Sequence, residues 1–252
     1  MTSSELAGRI ALVTGSTNGI GAAIARALAN VGAGVIVTGR DAQRGALVVQ
    51  SISSFGGIAW FVQADLALGE ESIRTLVTDA TAVSGGEIDI LINNAALLVF
   101  PSPTHDIDQD LIDRAFAVSV RAPFLLVGIV APLMASRGAG SIVNIGSLNG
   151  LSDTDGLALY SATKAAIHSL TKSWAAEYGP RGVRVNAVVP GATLTEKVSI
   201  MRDLLAPVFA ALPSRRGNTP EEVAEAVLFL VSDRSSNIHG ALLNVDGGAS
   251  AL

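Results

Sequence analysis

Two kinds of apolar segment alternate along this chain: short runs rich in Val and Ile, and longer runs rich in Ala and Leu. The short β-branched runs predict strands, and the longer runs predict helices. The predicted strands are 9–14, 34–38, 58–63, 88–93, 141–145, 183–188 and 241–245. The predicted helices are 19–31, 41–54, 70–84, 106–136, 156–179, 195–210 and 219–232. This alternation indicates an α/β fold, with right-handed crossovers and a parallel sheet covered on both faces.

The alternation continues from one end of the chain to the other. The 252 residues contain no linker rich in Pro, Gly or Ser, no run of like charges and no repeat of fixed period. With 49% hydrophobic residues, the chain can bury a substantial core. We therefore predict one domain over residues 1–252.

Composition narrows the classes of partner. The net charge of −5 and the lack of a basic stripe argue against a nucleic-acid-binding protein. The chain has no cysteine, and His105, His168 and His239 lack zinc-site spacing, so we predict no metal site. The first residues do not form a signal-peptide pattern, and no apolar run reaches membrane-spanning length. We expect a cytoplasmic protein without membrane contact.

A glycine-rich turn joins the first predicted strand to the first predicted helix. Its glycines allow a tight turn and close approach of the backbone to a ligand, and the helix N-terminus offers free N–H groups to a pyrophosphate. A glycine-rich turn between a strand and a helix is typical of a dinucleotide-binding site. It predicts a dinucleotide-binding turn made of Gly15, Ser16, Thr17, Asn18, Gly19, Ile20 and Gly21.

A second candidate site lies in Tyr160-Ser-Ala-Thr-Lys164. Residues four apart on a helix project from one face, so an ammonium lies beside a phenol. The cation favours the phenolate, which makes the phenol a better proton donor and acceptor. Ser147 follows a predicted strand, whose carboxyl end is where α/β active sites gather. The three residues predict a device that moves a proton to or from a carbonyl or carbinol oxygen.

Together with these two motifs, four others occur in an order that resembles the short-chain dehydrogenase/reductase family over nearly the whole chain. They are Asp65 after the third strand, Asn93–Ala96 after the fourth, Arg184–Asn186 with Pro190 and Gly191 in the sixth-strand region, and Asp246–Gly248 near the C-terminus. The resemblance implies a single-domain, three-layer αβα, Rossmann-like doubly wound sheet. It also implies an oxidoreductase that transfers a hydride between a nicotinamide cofactor and a carbonyl or secondary alcohol.

The resemblance also implies residue roles. Tyr160 would be the general acid in reduction and the base in oxidation, Lys164 would hold the nicotinamide ribose, and Ser147 would bind the substrate oxygen. Asp65, with the adjacent Leu66, would contact the adenine. The other implied cofactor contacts are Asn94, Ala95, Pro190, Gly191 and either Thr193 or Thr195. The segment 193–217 would form a small substrate lid, whose apolar residues suggest an apolar substrate or packing onto the body.

Cofactor preference is read at the end of the second strand. An NAD site usually has an acidic residue there, which accepts from the ribose 2′-OH. Here Gly39 occupies that place and Arg40 follows it, and a guanidinium can pair with a 2′-phosphate. NADP(H) is favoured, with NAD(H) as the alternative. Arg40 as a solvated residue, paired with Asp41, is the competing interpretation.

The chain departs from the family pattern at two positions. Ser119 stands where the family has an Asn that binds a water in the proton relay behind Lys164, and Ala96 replaces a Gly. Ser119 keeps open a second hypothesis, a nucleotide-binding or regulatory protein with little turnover. By resemblance we expect a homodimer or homotetramer, with the helices at 106–136 and 156–179 at the interface. His168 is expected to serve packing or an interface rather than catalysis.

Overall fold

The computed structural model describes residues 5–152, 155–199 and 202–252. The seven strands of the described chain are β1 (Ile10–Val13), β2 (Gly34–Gly39), β3 (Ile58–Gln63), β4 (Ile90–Asn93), β5 (Gly140–Ile145), β6 (Val183–Pro190) and β7 (Leu242–Val245). The α-helices in the same ranges are α1 (Gly19–Asn30), α2 (Ala42–Ser54), α3 (Glu70–Ser84), α4 (Gln109–Phe116), α5 (Ala122–Arg137), α6 (Ala158–Tyr178), α7 (Glu196–Ser199), α8 (Arg202–Ala211) and α9 (Pro220–Val231). The α/β class predicted from the alternation is confirmed.

All seven strands form one parallel sheet in the order β3-β2-β1-β4-β5-β6-β7. Leu12 of β1 pairs with Ile36 of β2 on one side and with Leu91 of β4 on the other. The strand order therefore reverses at β1, and the connections leave β1 and β4 in opposite directions. In open α/β sheets, ligands bind in the crevice at the carboxyl ends of the strands beside such a reversal.

Two apolar layers cover the two faces of the sheet, which makes the fold three-layered. One layer includes α1 and α9 and packs on the side chains of Val13, Val35 and Ile92. The other includes α3, α5 and α6 and packs on Leu12, Ile36 and Leu91. Neighbouring positions of one strand thus serve opposite layers, because successive side chains of a strand point to opposite faces.

The helix predicted over 106–136 differs from the observed one. Asp108 caps α4 by accepting from the Leu111 N–H at 2.7 Å, so the helix begins at Gln109. Residues 117–121 form a π-helical turn that joins α4 to α5 without a break. By length and composition alone, the continuous helix 109–137 could span a membrane, because an 18-residue window within it has a mean hydropathy of 1.9, so the sequence expectation of no such run is wrong. A helix that covers a sheet passes the same test, and α5 buries Leu126 and Val130 against this sheet.

The motif Arg184–Asn186 stabilises the last part of the fold. The Arg184 guanidinium donates to the carbonyls of Leu230, Val231 and Ser232 at the C-terminal end of α9. Burial lowers the pKa of Arg184, but these carbonyls carry the partial negative charge of a helix end and suit a cation. Arg184 therefore holds the C-terminal end of α9 against β6 of the sheet.

The predicted helix 195–210 corresponds to two described segments, α7 over Glu196–Ser199 and α8 over Arg202–Ala211. Two apolar positions of the predicted lid, Ile200 and Met201, lie outside the described residues.

Candidate active site

The glycine-rich turn lies against the chain that follows β4, and this contact explains its glycines. A Cβ on Gly15 would lie 2.9 Å from Ala95 Cα, and one on Gly21 would lie 2.5 Å from Asn94 Nδ2. Gly15 and Gly19 also have φ values of +63° and +52°, which residues with a Cβ rarely adopt. The turn therefore needs glycine at positions 15 and 19 because of their positive φ, and at positions 15 and 21 because a Cβ would not fit.

Thr14 and Asn94 fasten the turn to the end of β4. The Thr14 hydroxyl donates to Ile92 O and accepts from the N–H groups of Asn94 and Ala95, at 2.9 and 3.0 Å. In return, Asn94 Nδ2 donates to Thr14 O at 2.8 Å and to Gly15 O at 3.1 Å. Thr14 is not among the site residues predicted from the sequence, although it precedes the first glycine of the motif.

The N-terminus of α1 is left open at the same place. Asn18 occupies the cap position but makes no side-chain capping bond, whereas Asp41 and Asp108 cap α2 and α4. The first N–H groups of a helix lack intrahelical partners, so this end can bind an anion. Among the described residues, an uncapped helix end with a glycine cradle beside it fits the pyrophosphate of a dinucleotide.

Ser16 differs from its neighbours in the predicted dinucleotide turn. It is fully buried, its hydroxyl donates to Val13 O at 2.6 Å, and the same oxygen accepts from the Thr38 N–H. Its own N–H donates to Thr38 O at 3.0 Å. Ser16 therefore ties the turn to β2, and both its hydroxyl hydrogen and its N–H are already donated within the protein.

One stripe of α6 holds the end of β5. Lys164 is buried, and its Nζ donates to Ile145 O at 2.8 Å. One turn earlier, Tyr160 is half-buried, and the Lys164 ammonium lies 5.7 Å from the centre of its ring. Two turns after Lys164, the Thr171 hydroxyl accepts from Asn144 Nδ2 at 2.8 Å. The stripe thus brings the phenol and the ammonium to the carboxyl end of β5.

Ser147 lies two residues beyond β5, next to this stripe. It is extended, it is 8% exposed, and its Oγ accepts from the Asn149 N–H at 3.2 Å. That bond caps a short 3₁₀ turn over Leu148–Gly150 and leaves the Ser147 hydroxyl hydrogen free to donate elsewhere. Ser147, Tyr160 and Lys164 thus come from the two elements that meet at the carboxyl edge of the sheet.

The segment after β6 reaches across to the glycine turn. Gly191 follows Pro190 and has no room for a side chain, because a Cβ there would lie 2.9 Å from Asp246 Cα. The Thr193 hydroxyl donates to Gly191 O at 3.0 Å and is buried. Thr195 lies over the turn, with its Cγ2 3.3 Å from where a Gly19 Cβ would be. Of the two threonines, Thr195 is the one beside the dinucleotide turn.

Arg40 and Asp65 lie at the ends of β2 and β3. The Arg40 side chain is exposed and has no carboxylate within ion-pair distance among the described residues. Asp41 pairs with Arg44 instead, at 3.6 Å, so an Arg40–Asp41 pair is not formed. Asp65 Oδ1 accepts from the Ala67 N–H at 3.0 Å, which starts a turn whose first residue, Leu66, is buried.

Comparison with known proteins identifies the family. A family model described as enoyl-(acyl carrier protein) reductase matches residues 15–250. A solved structure of a short-chain dehydrogenase/reductase family protein is 46% identical and has a TM-score of 0.87, covering 98% of this chain and 100% of that one. The chain belongs to the short-chain dehydrogenase/reductase family.

Relatives within this family include named oxidoreductases. Cis-4-hydroxycyclohexanecarboxylate dehydrogenase of Sinomonas cyclohexanicum is 38% identical, over 97% of this chain and 97% of that protein. A 3-oxoacyl (acyl-carrier-protein) reductase of Agrobacterium tumefaciens, solved with NADP bound, is 33% identical with a TM-score of 0.91, covering 98% of this chain and 96% of that one. This member of the short-chain dehydrogenase/reductase family is therefore an oxidoreductase that acts on small molecules with a nicotinamide cofactor.

Ser119 of this short-chain dehydrogenase/reductase lies in the π-helical turn. It is buried, and its Oγ accepts from the Leu97 N–H at 3.2 Å. The hydroxyl therefore holds the segment that follows β4, a contact that the sequence analysis did not foresee. A role of Ser119 in a proton relay stays a prediction.

Proposed function

We propose that this protein is an NADP(H)-dependent oxidoreductase that interconverts a carbonyl and a secondary alcohol, with Tyr160 as the proton donor in reduction. The observation that carries the proposal is the arrangement on α6. Tyr160 and Lys164 lie one turn apart, and Lys164 Nζ is bonded to Ile145 O, two residues before Ser147. We infer that Tyr160 and Ser147 face one substrate at the carboxyl edge of the sheet, beside the glycine-rich turn.

The chemistry divides between the cofactor and the protein. A bound nicotinamide supplies the hydride in reduction and accepts it in oxidation. Tyr160 gives its hydroxyl proton to the substrate oxygen as negative charge develops there. Ser147 donates its free hydroxyl hydrogen to the same oxygen. Lys164, buried beside the Tyr160 ring, stabilises the phenolate that remains, and solvent returns the proton for the next turnover.

Three further contacts are proposed for the cofactor. Thr195 would donate to the nicotinamide amide, because the Thr193 hydroxyl already donates to Gly191 O. Asp65 would contact the adenine. Arg40 would pair with the 2′-phosphate of NADP(H), because its guanidinium is exposed without an ion-pair partner among the described residues.

Gly39 supports the same preference. A Cβ on Gly39 would lie 2.8 Å from Thr17 Cγ2, so an acidic side chain at this position would force Thr17 to move. The ribose contact that an NAD site uses is thus sterically disfavoured here.

The central test is the substitution Tyr160→Phe, which removes one hydroxyl and keeps the ring. We expect kcat to fall by about 10²–10⁴-fold in NADPH oxidation driven by acyl-thioester, steroid, sugar and cyclic ketones. The dissociation constant for NADPH is expected to change little. Turnover of no ketone by the wild-type protein, with tight NADPH binding, would support a nucleotide-binding or regulatory protein instead.

The cofactor preference is tested with Arg40→Ala, using Arg44→Ala as the matched control. Arg44 is also exposed and lies one turn away, but it is paired with Asp41. We expect Arg40→Ala to raise the KM for NADPH roughly 10-fold or more, as the loss of a bidentate charged pair would. The KM for NADH should stay within about twofold. Equal effects on both cofactors, or an equal effect of Arg44→Ala, would contradict the assignment.

We also propose that the protein assembles as a homodimer or homotetramer through α4, α5 and α6. The outer side of α5 exposes Phe124 and Leu133, which are 54% and 44% accessible. The Phe124 ring lies 6.0 Å from the ring of the buried Trp174 of α6, so α6 supports this exposed apolar side of α5 from beneath. Light scattering should give a multiple of the 25.7 kDa chain mass, and Phe124→Glu should lower it.

A further inference from the structure

A buried imidazole lies directly behind Ser147. His168 is 4% exposed, and its Nε2 lies 3.4 Å from the backbone nitrogen of Ser147. A Cβ on Gly150 would lie 2.7 Å from His168 Cε1, and one on Gly146 would overlap Nε2. Gly146 and Gly150, one on each side of Ser147 in the chain, thus leave room for this ring.

The contact defines the protonation state of His168. The Ser147 N–H can only donate, so Nε2 must accept and the imidazole proton belongs on Nδ1. Nδ1 is buried and makes no hydrogen bond of good geometry among the described residues, and the nearby Gly150 backbone favours the protonated ring. A protonated ring would carry a hydrogen on both nitrogens, and Nε2 could then no longer accept from Ser147.

His168 completes a set of bonds from α6 and β6 that hold this loop. Lys164 Nζ binds Ile145 O at 2.8 Å, and the Gly146 N–H donates to Val188 O at 2.8 Å. The bond from Ser147 N–H to His168 Nε2 fixes the third consecutive residue. The orientation of the Ser147 side chain depends on this last bond, because it sets the peptide plane that precedes the Ser147 Cα.

We propose that His168 is a positioning residue whose neutral imidazole holds Ser147 in place, and that its protonation releases Ser147 and lowers turnover. The inference rests on the proposed function, because it requires Ser147 to bind the substrate oxygen. His168 would thus make the reaction sensitive to acid although it does not touch the substrate.

The surroundings of His168 keep it neutral. Burial lowers the pKa of His168 below its ordinary value of 6.5, the Gly150 backbone opposes this shift, and the ammonium groups of Lys164 and Lys172 on the same helix add to it. The loop 146–150 has no ionisable side chain, and the charged residue of β6, Arg184, is bound to the end of α9. The Ser147 contact is therefore intact at pH 6.5 and above and is lost as the pH falls through the lowered pKa.

Two substitutions test the proposal in the full chain. His168→Gln keeps a side-chain oxygen that can accept but does not titrate, and His168→Leu removes the acceptor. We expect wild-type kcat to fall in acid with a one-proton limb below pH 6.5. His168→Gln should lose this limb and keep kcat within about threefold at pH 8, whereas His168→Leu should lose roughly 10-fold or more in kcat with little change in the NADPH KM. A limb that persists in His168→Gln, or wild-type kcat in His168→Leu, would overturn the proposal.

A measurement without turnover separates this proposal from the proposed function. In wild-type protein with ¹⁵N-labelled histidine, His168 should show the tautomer with the proton on Nδ1, and its signals are assigned by their loss in His168→Gln. The Ser147 amide resonance should shift with the same midpoint as the His168 imidazole. The other tautomer, or a Ser147 amide that does not follow His168, would refute the positioning role. If the wild-type protein reduces no ketone while the two titrations coincide, the proposed function fails and the contact stands.

Discussion

Adding one methyl group at Gly21 tests how tightly the glycine turn is fitted to the end of β4. A Cβ at this position would lie 2.5 Å from Asn94 Nδ2, 2.5 Å from Gly15 O and 2.9 Å from Ser16 Cα. These atoms belong to backbone or to a side chain that is held by two hydrogen bonds, so none can move aside freely. Gly21→Ala must therefore separate the turn from Asn94.

The expected cost follows from what is separated. Asn94 Nδ2 would lose its bonds to Thr14 O and Gly15 O, now 2.8 and 3.1 Å long, at about 1 kcal/mol each. Overpacking adds about 1–3 kcal/mol, and the better helix propensity of Ala returns about 1 kcal/mol. The net loss is about 2–4 kcal/mol in the free energy of unfolding. For a chain of this size, Tm should fall by about 4–16 °C.

The assay compares Gly21→Ala with Gly128→Ala by calorimetry and by NADPH fluorescence titration. Gly128 lies in the interior of α5, is exposed, and has nothing within 4 Å of where its Cβ would be. There we expect a gain of about 0.5–1 kcal/mol from helix propensity alone. Gly21→Ala should also weaken NADPH binding, because the cradle widens. A Gly21→Ala protein with wild-type Tm and NADPH affinity would refute the fit between turn and strand.

Two further predictions concern Ser119 and the start of α9. Ser119→Ala removes the acceptor for the Leu97 N–H, and we expect it to lower the free energy of unfolding by about 1–3 kcal/mol. Ser119→Asn keeps an acceptor and should retain kcat. A Ser119→Ala protein with unchanged stability would contradict the anchoring role. The side-chain bonds from Arg216 lower the pKa of Glu222 from 4.5 to about 2, so the pair stabilises the fold above pH 4.5 and ceases to do so as the pH falls towards 2. Denaturation at pH 7 should therefore show Glu222→Gln to be less stable than the wild type, with a difference that shrinks on acidification; a gap that does not depend on pH would mean that the Glu222 charge is not the cause.

The sequence by itself determined the order of elements and the place of the two motifs. β3 is observed over Ile58–Gln63, as predicted, and the other strands end within a few residues of their predicted ends. Central parallel strands are buried on both faces, so their Val and Ile runs are visible without any knowledge of their neighbours. Thr219 likewise caps α9 through a capping box with Glu222, a signal that lies within four residues.

Only the tertiary structure decided what the polar groups at the site do. Ser16 lies in the predicted dinucleotide turn, yet its hydroxyl is used by Val13 and Thr38. Ser119 binds the Leu97 N–H, 22 positions away. The π-helical turn that carries Ser119 has no sequence pattern of its own, because an extra residue in a helix turn is stabilised by what packs around it.

His168 is the clearest case of this division. The sequence places His168 two turns after Tyr160 on the same helix, and that position predicts a role in packing or at an interface. The fold places it behind Ser147, 21 positions away, and glycines at 146 and 150 admit its ring. Local patterns encode burial and turns, because those depend on neighbours in the chain. The pairing of a donor with an acceptor depends on which strand ends lie next to each other. Those neighbours are decided only when the sheet is assembled.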